Sequence, residues 1–334
     1  MYVCVSPLRL SQCILGFVED VIITIGVDAL MEWIAPLLRL CESLGCEALL
    51  EEPMSRHSTF AIGGPADVFI SPSSEQQLTV LIPYLRNNKI PYSILGKGSN
   101  ILVSDRGIHG AVLHIGSKLS GITRRGNGLE CAAGTSLVEL CRFALAQELS
   151  GLEFAYGIPG SAGGAAFMNA GAYDGEMKDV LISCRHIDEW GNIGVFEGHQ
   201  LALGYRSSAY SDGGYCITSL RLRLTPAPKE QIKARMQDLW NRRCTKQPLD
   251  YPSAGSTFKR PPCGYAAALI EQCGLKGRTV GGAMVSPKHS GFVINTGTAT
   301  CDDVLSLIEV IKQEVKQNTG VDLECEVRVF CSND

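Results

Sequence analysis

The sequence predicts an α+β fold of two or three packed subdomains, and three observations lead to that reading. Short apolar runs at 92–95, 101–103 and 111–115 alternate with glycine turns and read as strands. Two helices among them carry N-terminal signals: Ser74 as a single N-cap, and the pair Ser136 and Glu139 as a capping box. The composition shifts at Pro226-Ala227-Pro228, and a charged helix follows it. At 334 residues the chain is long for one core.

The elements follow in order. Residues 1–30 lack the basic start and small-residue cleavage site of a signal peptide. Glu19, Asp20 and Asp28 interrupt their apolar runs, so no segment reaches the ~20 residues needed to span a bilayer. This stretch is expected to be an unassigned extension. Met31 opens an amphipathic helix with Trp33, Ile34, Leu37, Leu38 and Cys41 at helical spacing. A turn-rich entry into strands covers 56–71, and a helix runs from Ser74 to Asn87. A strand lies near 129–133. The helix opened by Ser136 is expected to run to Gly151, burying Leu137, Leu140, Cys141, Ala144 and Leu145. A glycine-rich stretch, 157–175, precedes short strands over 180–225. Beyond the shift come a helix (229–243), a turn-rich loop (247–264), a helix (265–273), strands near 279–295, a helix (302–318) and a last strand (323–330).

Composition narrows the function classes. Hydrophobic residues make up 45% and charged residues 19%, an ordinary globular balance. A net charge of −4 gives no basic surplus for nucleic acid or an anionic membrane. An anionic substrate must then be held by a few local Lys or Arg side chains. The 14 cysteines include no C-x-x-C pair and are irregularly spaced, which argues against a metal site. They read as reduced thiols, mostly small core residues, in a cytoplasmic protein.

Glycine clusters carry the first functional signal. In Leu95-Gly96-Lys97-Gly98-Ser99-Asn100 the glycines let backbone N–H groups converge on an anion. The same pattern also fits a tight β-turn. Between Gly157 and Tyr173 the run Gly157-Ile158-Pro159-Gly160-Ser161-Ala162-Gly163-Gly164 permits close backbone approach to a large flat ligand. A close-packed chain crossing would use the same residues. Ser256, after Gly255 and three before Lys259, fits a proton donor, a nucleophile, an anion contact or a plain turn. Arg206 stands alone in Gly204-Tyr205-Arg206-Ser207. In the last strand, alternation places Leu323, Cys325, Val327 and Val329 on one face, with Glu324, Glu326 and Arg328 on the other.

Over residues 50–330 these blocks, in this order, resemble the UDP-N-acetylenolpyruvoylglucosamine reductase (MurB) family. The blocks are Thr59 to Asp67, Leu95 to Leu102, Gly157 to Tyr173, Gly204 to Ser207 with Ala254 to Lys259, and Leu323 to Arg328. The resemblance implies the FAD-binding fold of the vanillyl-alcohol oxidase type over 31–225, with its core at about 56–220. A C-terminal α+β substrate-binding domain would occupy 226–334. It implies non-covalent FAD, lined by Gly96, Lys97, Gly98, Ser99 and Asn100 and by Gly157, Ile158, Pro159, Gly160, Ser161, Gly163 and Gly164. NADPH is the implied hydride donor and UDP-N-acetylenolpyruvoylglucosamine the implied substrate. The family's active-site arginine matches Arg206, its proton-donating serine Ser256 and its glutamate Glu326. Tyr173, Lys259, Arg260 and His289 fall at positions of substrate contact. Arg260 stands where the family often has Asn. The short spacing from Arg206 to Ser256 resembles the subclass without an extra tyrosine-bearing loop. A monomer is expected.

Overall fold

A computed structural model describes residues 20–330, with side chains from residue 32. Residues 1–19, most of the expected extension, lie outside it. The described chain forms two units, the first ending at Gly45 and the second beginning at Cys46. The first is one helix, α1 (Asp20–Ser43), which opens eleven residues before the Met31 start read from the periodicity. Once nucleated, a helix gains one backbone hydrogen bond per added residue, so it extends past its amphipathic part.

The second unit is α+β. Its first sheet holds β1 (Glu47–Pro53), β2 (Pro65–Ser71), β3 (Tyr92–Leu95) and β5 (Ile108–His114), in the order β1-β2-β5-β3. The β2–β5 and β5–β3 pairs are parallel. The strand β4 (Ile101–Val103) stays out of this sheet. The crossover between β2 and β3 is α2 (Glu75–Asn87), capped by Ser74, whose side chain accepts the Gln77 N–H. A second, antiparallel sheet contains β6 (Ile122–Arg125), β7 (Gly128–Ala132), β11 (Leu181–Asp188), β12 (Ile193–Glu197) and β13 (Tyr215–Arg223), ordered β12-β11-β13-β7-β6.

Between β7 and β11 lie α3 (Leu137–Ala146), β8 (Leu149–Ser150), the short helix α4 (Ala162–Phe167) and the hairpin of β9 (Gly171–Ala172) with β10 (Gly175–Glu176). The capping box at Ser136 and Glu139 is formed. The helix it opens stops at Ala146, short of the expected Gly151. Glu148 adopts a left-handed φ of 56°, and β8 then pairs with β14 (Thr225–Pro226). The strand β1 has no counterpart in the sequence reading. Its Leu- and Glu-rich segment favours helix, and pairing along β2 overrides that preference.

Beyond β14 come α5 (Lys229–Lys246), α6 (Ala266–Gln272), α7 (Cys301–Thr319) and a three-stranded sheet of β15 (Thr279–Val280), β16 (Ala283–Val285) and β17 (Val293–Asn295). The apolar faces of α6, α7 and this sheet share a core with Phe60, Ile62 and Leu102 from the first half of the chain, while α5 packs against α3 and β8. The last strand, β18 (Arg328–Phe330), is shorter than the expected 323–330. It returns to pair in parallel with β4. The alternation read over 323–329 holds for buried Leu323 and Val327 but fails at Val329, which is exposed.

Among the described residues no helix is long and apolar enough to cross a membrane. Among the described residues Cys41, Cys46, Cys131, Cys141, Cys184, Cys216 and Cys301 are buried. Burial pushes the Cys131 thiol up to about 12, far from a reactive range.

Candidate active site

The two glycine blocks, about sixty residues apart in sequence, meet in space. A Cβ on Gly96 would stand 2.5 Å from the Ser161 hydroxyl, and one on Gly160 would touch the Ser99 hydroxyl at 3.8 Å. Ser161 caps α4 by accepting the Gly164 N–H, and it bridges to Ser136. Gly98 is buried at a φ of +61°, and its carbonyl accepts from the Thr59 N–H. The N–H groups of Lys97, Gly98 and Ser99 donate to no acceptor among the described residues, nor does the Ser99 hydroxyl. Lys97 is exposed, but Gly98 is buried and Ser99 half-buried, and buried backbone donors are rarely left without a partner, so this loop presents a row of N–H groups to an anion. A dinucleotide's diphosphate fits that demand.

Asn100 ends the loop and connects it to the C-terminal segment. Its side-chain amide donates to the Glu326 carbonyl (3.0 Å), and its own carbonyl accepts from Arg328 N–H (3.1 Å). Through this join Glu326 reaches Arg206, whose Nε donates to Oε1 at 2.5 Å. The glutamate side chain is 11% exposed and the arginine 21%. Burial pushes the Glu326 carboxyl above the usual carboxylate range, and the charge and hydrogen bond of Arg206, with Lys259 behind, hold the shift back. Glu326 is therefore not on a solvent face, as its strand position alone would also allow.

Arg206 is held in an uncommon conformation. Its φ is 54°, within a turn closed by the Gly204–Ser207 bridge. Asn169, fully buried and itself at φ 41°, anchors that turn. Its amide donates to Gly204 O and to Glu176 Oε2, both at 2.8 Å, and its oxygen accepts the Lys178 N–H at 2.8 Å. Tyr173 and Asp174, in the neighbouring hairpin, also have positive φ. Non-glycine residues in this region collect where surrounding contacts over-determine the backbone, often at functional sites.

The serine loop is laced to the same segment. Glu326 N–H donates to Thr257 O (2.9 Å), Lys259 N–H to Glu324 O (2.8 Å), and Thr257 N–H to Gly291 O (2.8 Å). Ser256 is left exposed one residue from this lacing, with no hydrogen bond to its hydroxyl among the described residues. Lys259 pairs with Glu324. The Arg260 N–H donates to the Tyr205 hydroxyl (3.0 Å), and its guanidinium lies 4.0 Å over the Tyr265 ring. That tyrosine hydroxyl ties the serine loop directly to the arginine turn, beside the link through Glu326. His289 turns into its own loop instead: Nδ1 accepts from Gly291 N–H at 3.2 Å, and the ring packs on Phe292. Burial lowers its pKa.

The sequence already marks Asn169 as part of the glycine run, and the structure adds the three bonds through which it acts. One residue of this site escapes a reading by motif. Arg243 is buried in α5 beside Gly157 and Tyr173. A signal for it existed: Ile232, Met236, Leu239 and Arg243 form the buried stripe of that helix, with a cation where an apolar residue is due.

Comparison with known proteins agrees with this geometry. Residues 66–196 match the FAD binding domain model, and residues 247–330 match the C-terminal domain model of UDP-N-acetylenolpyruvoylglucosamine reductase. The reductase of that name from Clostridium botulinum (strain Hall) is 49% identical over 282 residues, covering 84% of this chain and 92% of the relative. That of Caldanaerobacter subterraneus subsp. tengcongensis is 50% identical over 280 residues, with the same coverage. The crystal structure of UDP-N-acetylenolpyruvylglucosamine reductase (MurB) from Thermus caldophilus superposes with a TM-score of 0.72 at 35% identity, covering 85% of this chain and 98% of that one. An FAD-binding region followed by this C-terminal domain, at these identities and coverages, places the chain in the UDP-N-acetylenolpyruvoylglucosamine reductase family.

Proposed function

We propose that Arg206, Glu326 and Ser256 carry the reaction of this FAD-dependent oxidoreductase, the NADPH-driven reduction of UDP-N-acetylenolpyruvoylglucosamine to UDP-N-acetylmuramate for peptidoglycan precursors. When bound, FAD supplies the relay that accepts hydride from NADPH and passes it to the vinyl methylene of the substrate. The free N–H groups at 97–99 and the facing 157–164 block would hold it without a covalent link. Hydride addition leaves negative charge on the adjacent carbon and its carboxylate. Arg206 is permanently cationic and directs its donors at that enolate. Glu326 orients the guanidinium through the 2.5 Å bond. Ser256 delivers a proton to the carbon, which completes the saturated lactyl ether. A hydroxyl is a weak acid, and its position against a strongly basic enolate matters more than its pKa.

The observation that carries this reading is the backbone bond from Glu326 to Thr257. It ties the loop that carries Ser256, one residue before Thr257, to the glutamate that grips Arg206. Lys259, whose charge acts on the Glu326 carboxyl, and Tyr173 and Arg260 would take the substrate's polar groups. His289 commits Nδ1 within its own loop, and its Nε2, with no hydrogen bond among the described residues, would take a substrate group. We read 31–225 as the FAD-binding region and 226–334 as the substrate-binding region, acting in the cytoplasm as a monomer. Anaerobic addition of NADPH to the yellow protein should bleach the flavin band. The enolpyruvyl sugar nucleotide should restore it. No recovery of colour with substrate would refute the proposal.

A further inference from the structure

Arg243 is 8% exposed, and no carboxylate pairs with it among the described residues. Among the described residues its guanidinium hydrogen-bonds to the neutral Gln247 Oε1, at 3.1 Å. A buried guanidinium without an anion is costly to maintain, and here burial pulls its pKa down from the ordinary value. The side chain is aimed at the glycine-rich wall of the site. A Cβ on Gly157 would stand 2.6 Å from Nε, and the Tyr173 ring lies 5.8 Å from Cζ.

Its position relative to Arg206 indicates which anion is missing. Arg206 Nη2 donates to Gly171 O at 3.4 Å, while Arg243 faces Tyr173. The two arginines thus flank one hairpin at points two residues apart, at most ~7 Å of chain. The substrate also has two anionic ends, an enolpyruvyl carboxylate on one side of the sugar and a diphosphate on the other. We infer that Arg243 is a specificity residue of the catalytic cleft, receiving the diphosphate of the sugar nucleotide while Arg206 faces the enolpyruvyl group. The inference rests on the site reading above for the orientation of the substrate, and not for the anion-binding character of Arg243. A diphosphate reaches Arg243 from three sources, the UDP-sugar, NADPH and FAD, whose lining includes the adjacent Gly157; the hairpin that links Arg243 to Arg206 favours the first, and loss of flavin from both Arg243 variants at an unchanged melting temperature would assign the cation to FAD and overturn the inference.

The test uses the FAD-loaded protein and UDP as probe, since UDP carries the diphosphate and lacks the enolpyruvyl group. UDP affinity is measured by calorimetry for wild type, Arg243→Gln, Arg243→Lys and Arg206→Lys, and flavin reduction by NADPH is followed by stopped flow. Flavin content and melting temperature check folding, and the Lys variant keeps the charge if the Gln variant is unstable. Arg243→Gln should weaken UDP binding roughly 10–100-fold, the range of one charge-assisted hydrogen bond. Arg243→Lys should recover part of it, and Arg206→Lys should bind UDP normally. UDP affinity that is unchanged in both Arg243 variants would overturn the inference. So would a defect confined to NADPH reduction, which would assign the cation to the dinucleotide. An equal loss in Arg206→Lys would overturn the separation of the two ends. If Arg206→Lys turns over normally while Arg243→Gln still loses UDP, the catalytic reading of Arg206 falls and the Arg243 contact stands.

Discussion

Asn169→Ala removes the anchor of the arginine turn, and its cost can be worked from the structure. Three hydrogen bonds of 2.8 Å disappear, to Gly204 O, Glu176 Oε2 and Lys178 N–H. Asn169 is fully buried, but its partners' residues are half-buried or exposed, so water can recover part of each bond. That argues for ~1 kcal/mol per bond, the low end of the range. Alanine at a φ of 41° adds about 1 kcal/mol of left-handed strain that Asn tolerates better. The sum is ~4 kcal/mol, a large part of the 5–15 kcal/mol typical of a folded domain. At roughly 2–4 °C per kcal/mol for larger domains, melting should fall by on the order of 10 °C. Urea and thermal unfolding followed by circular dichroism would measure it, and turnover well below the melting point should also drop because Arg206 loses its registered turn. A loss below about 1 kcal/mol, with normal turnover, would show that the three bonds do not hold the turn. Asn169→Asp should be no milder, because it sets a second carboxylate against Glu176.

Ser256→Ala should leave flavin reduction by NADPH near normal and slow reoxidation by the enolpyruvyl substrate roughly 10²–10⁴-fold. Recovery of the rate at high substrate in stopped flow would reduce Ser256 to a binding contact. Glu326→Gln should retain FAD and slow the same second step, and unchanged turnover at saturating substrate would remove the residue from the mechanism. Its pH dependence has a definite sign. The folded pKa of Glu326 is raised by burial, so its stabilising contribution is complete below the unfolded value of about 4.3 and is lost as pH rises through the folded one. Urea midpoints should therefore fall less between acid and neutral pH in the Gln variant than in wild type, and parallel profiles would contradict the buried carboxyl. Finally, acid precipitation should release all yellow colour into the supernatant as FAD, and colour retained on the denatured chain would contradict non-covalent binding.

Local signals in the sequence determined a good deal. The Ser74 cap and the Ser136–Glu139 box depend on contacts three residues apart, and both form as read. The apolar alternation at Leu323 and Val327 fixes which way that segment faces, and the glycine blocks mark where backbone must come close to something. Five ordered blocks were enough to indicate the family. What local sequence could not contain is anything that depends on partners distant along the chain. The strand β1 exists because β2 pairs with it, against its own helix preference. The final strand reaches back to β4, across more than 220 residues, and only that return brings Glu326 to Asn100 and to Arg206. The burial of Glu326, and hence its raised pKa, is likewise a property of the packed neighbours rather than of the strand pattern. Arg243 shows both sides of the division. Its spacing from Ile232, Met236 and Leu239 is helical, but only the tertiary structure decided that this stripe of α5 is buried, that no carboxylate among the described residues meets Arg243 there and that it faces the glycine-rich wall. The free energy of a buried charge is set by which groups surround it, and those groups come from the whole chain.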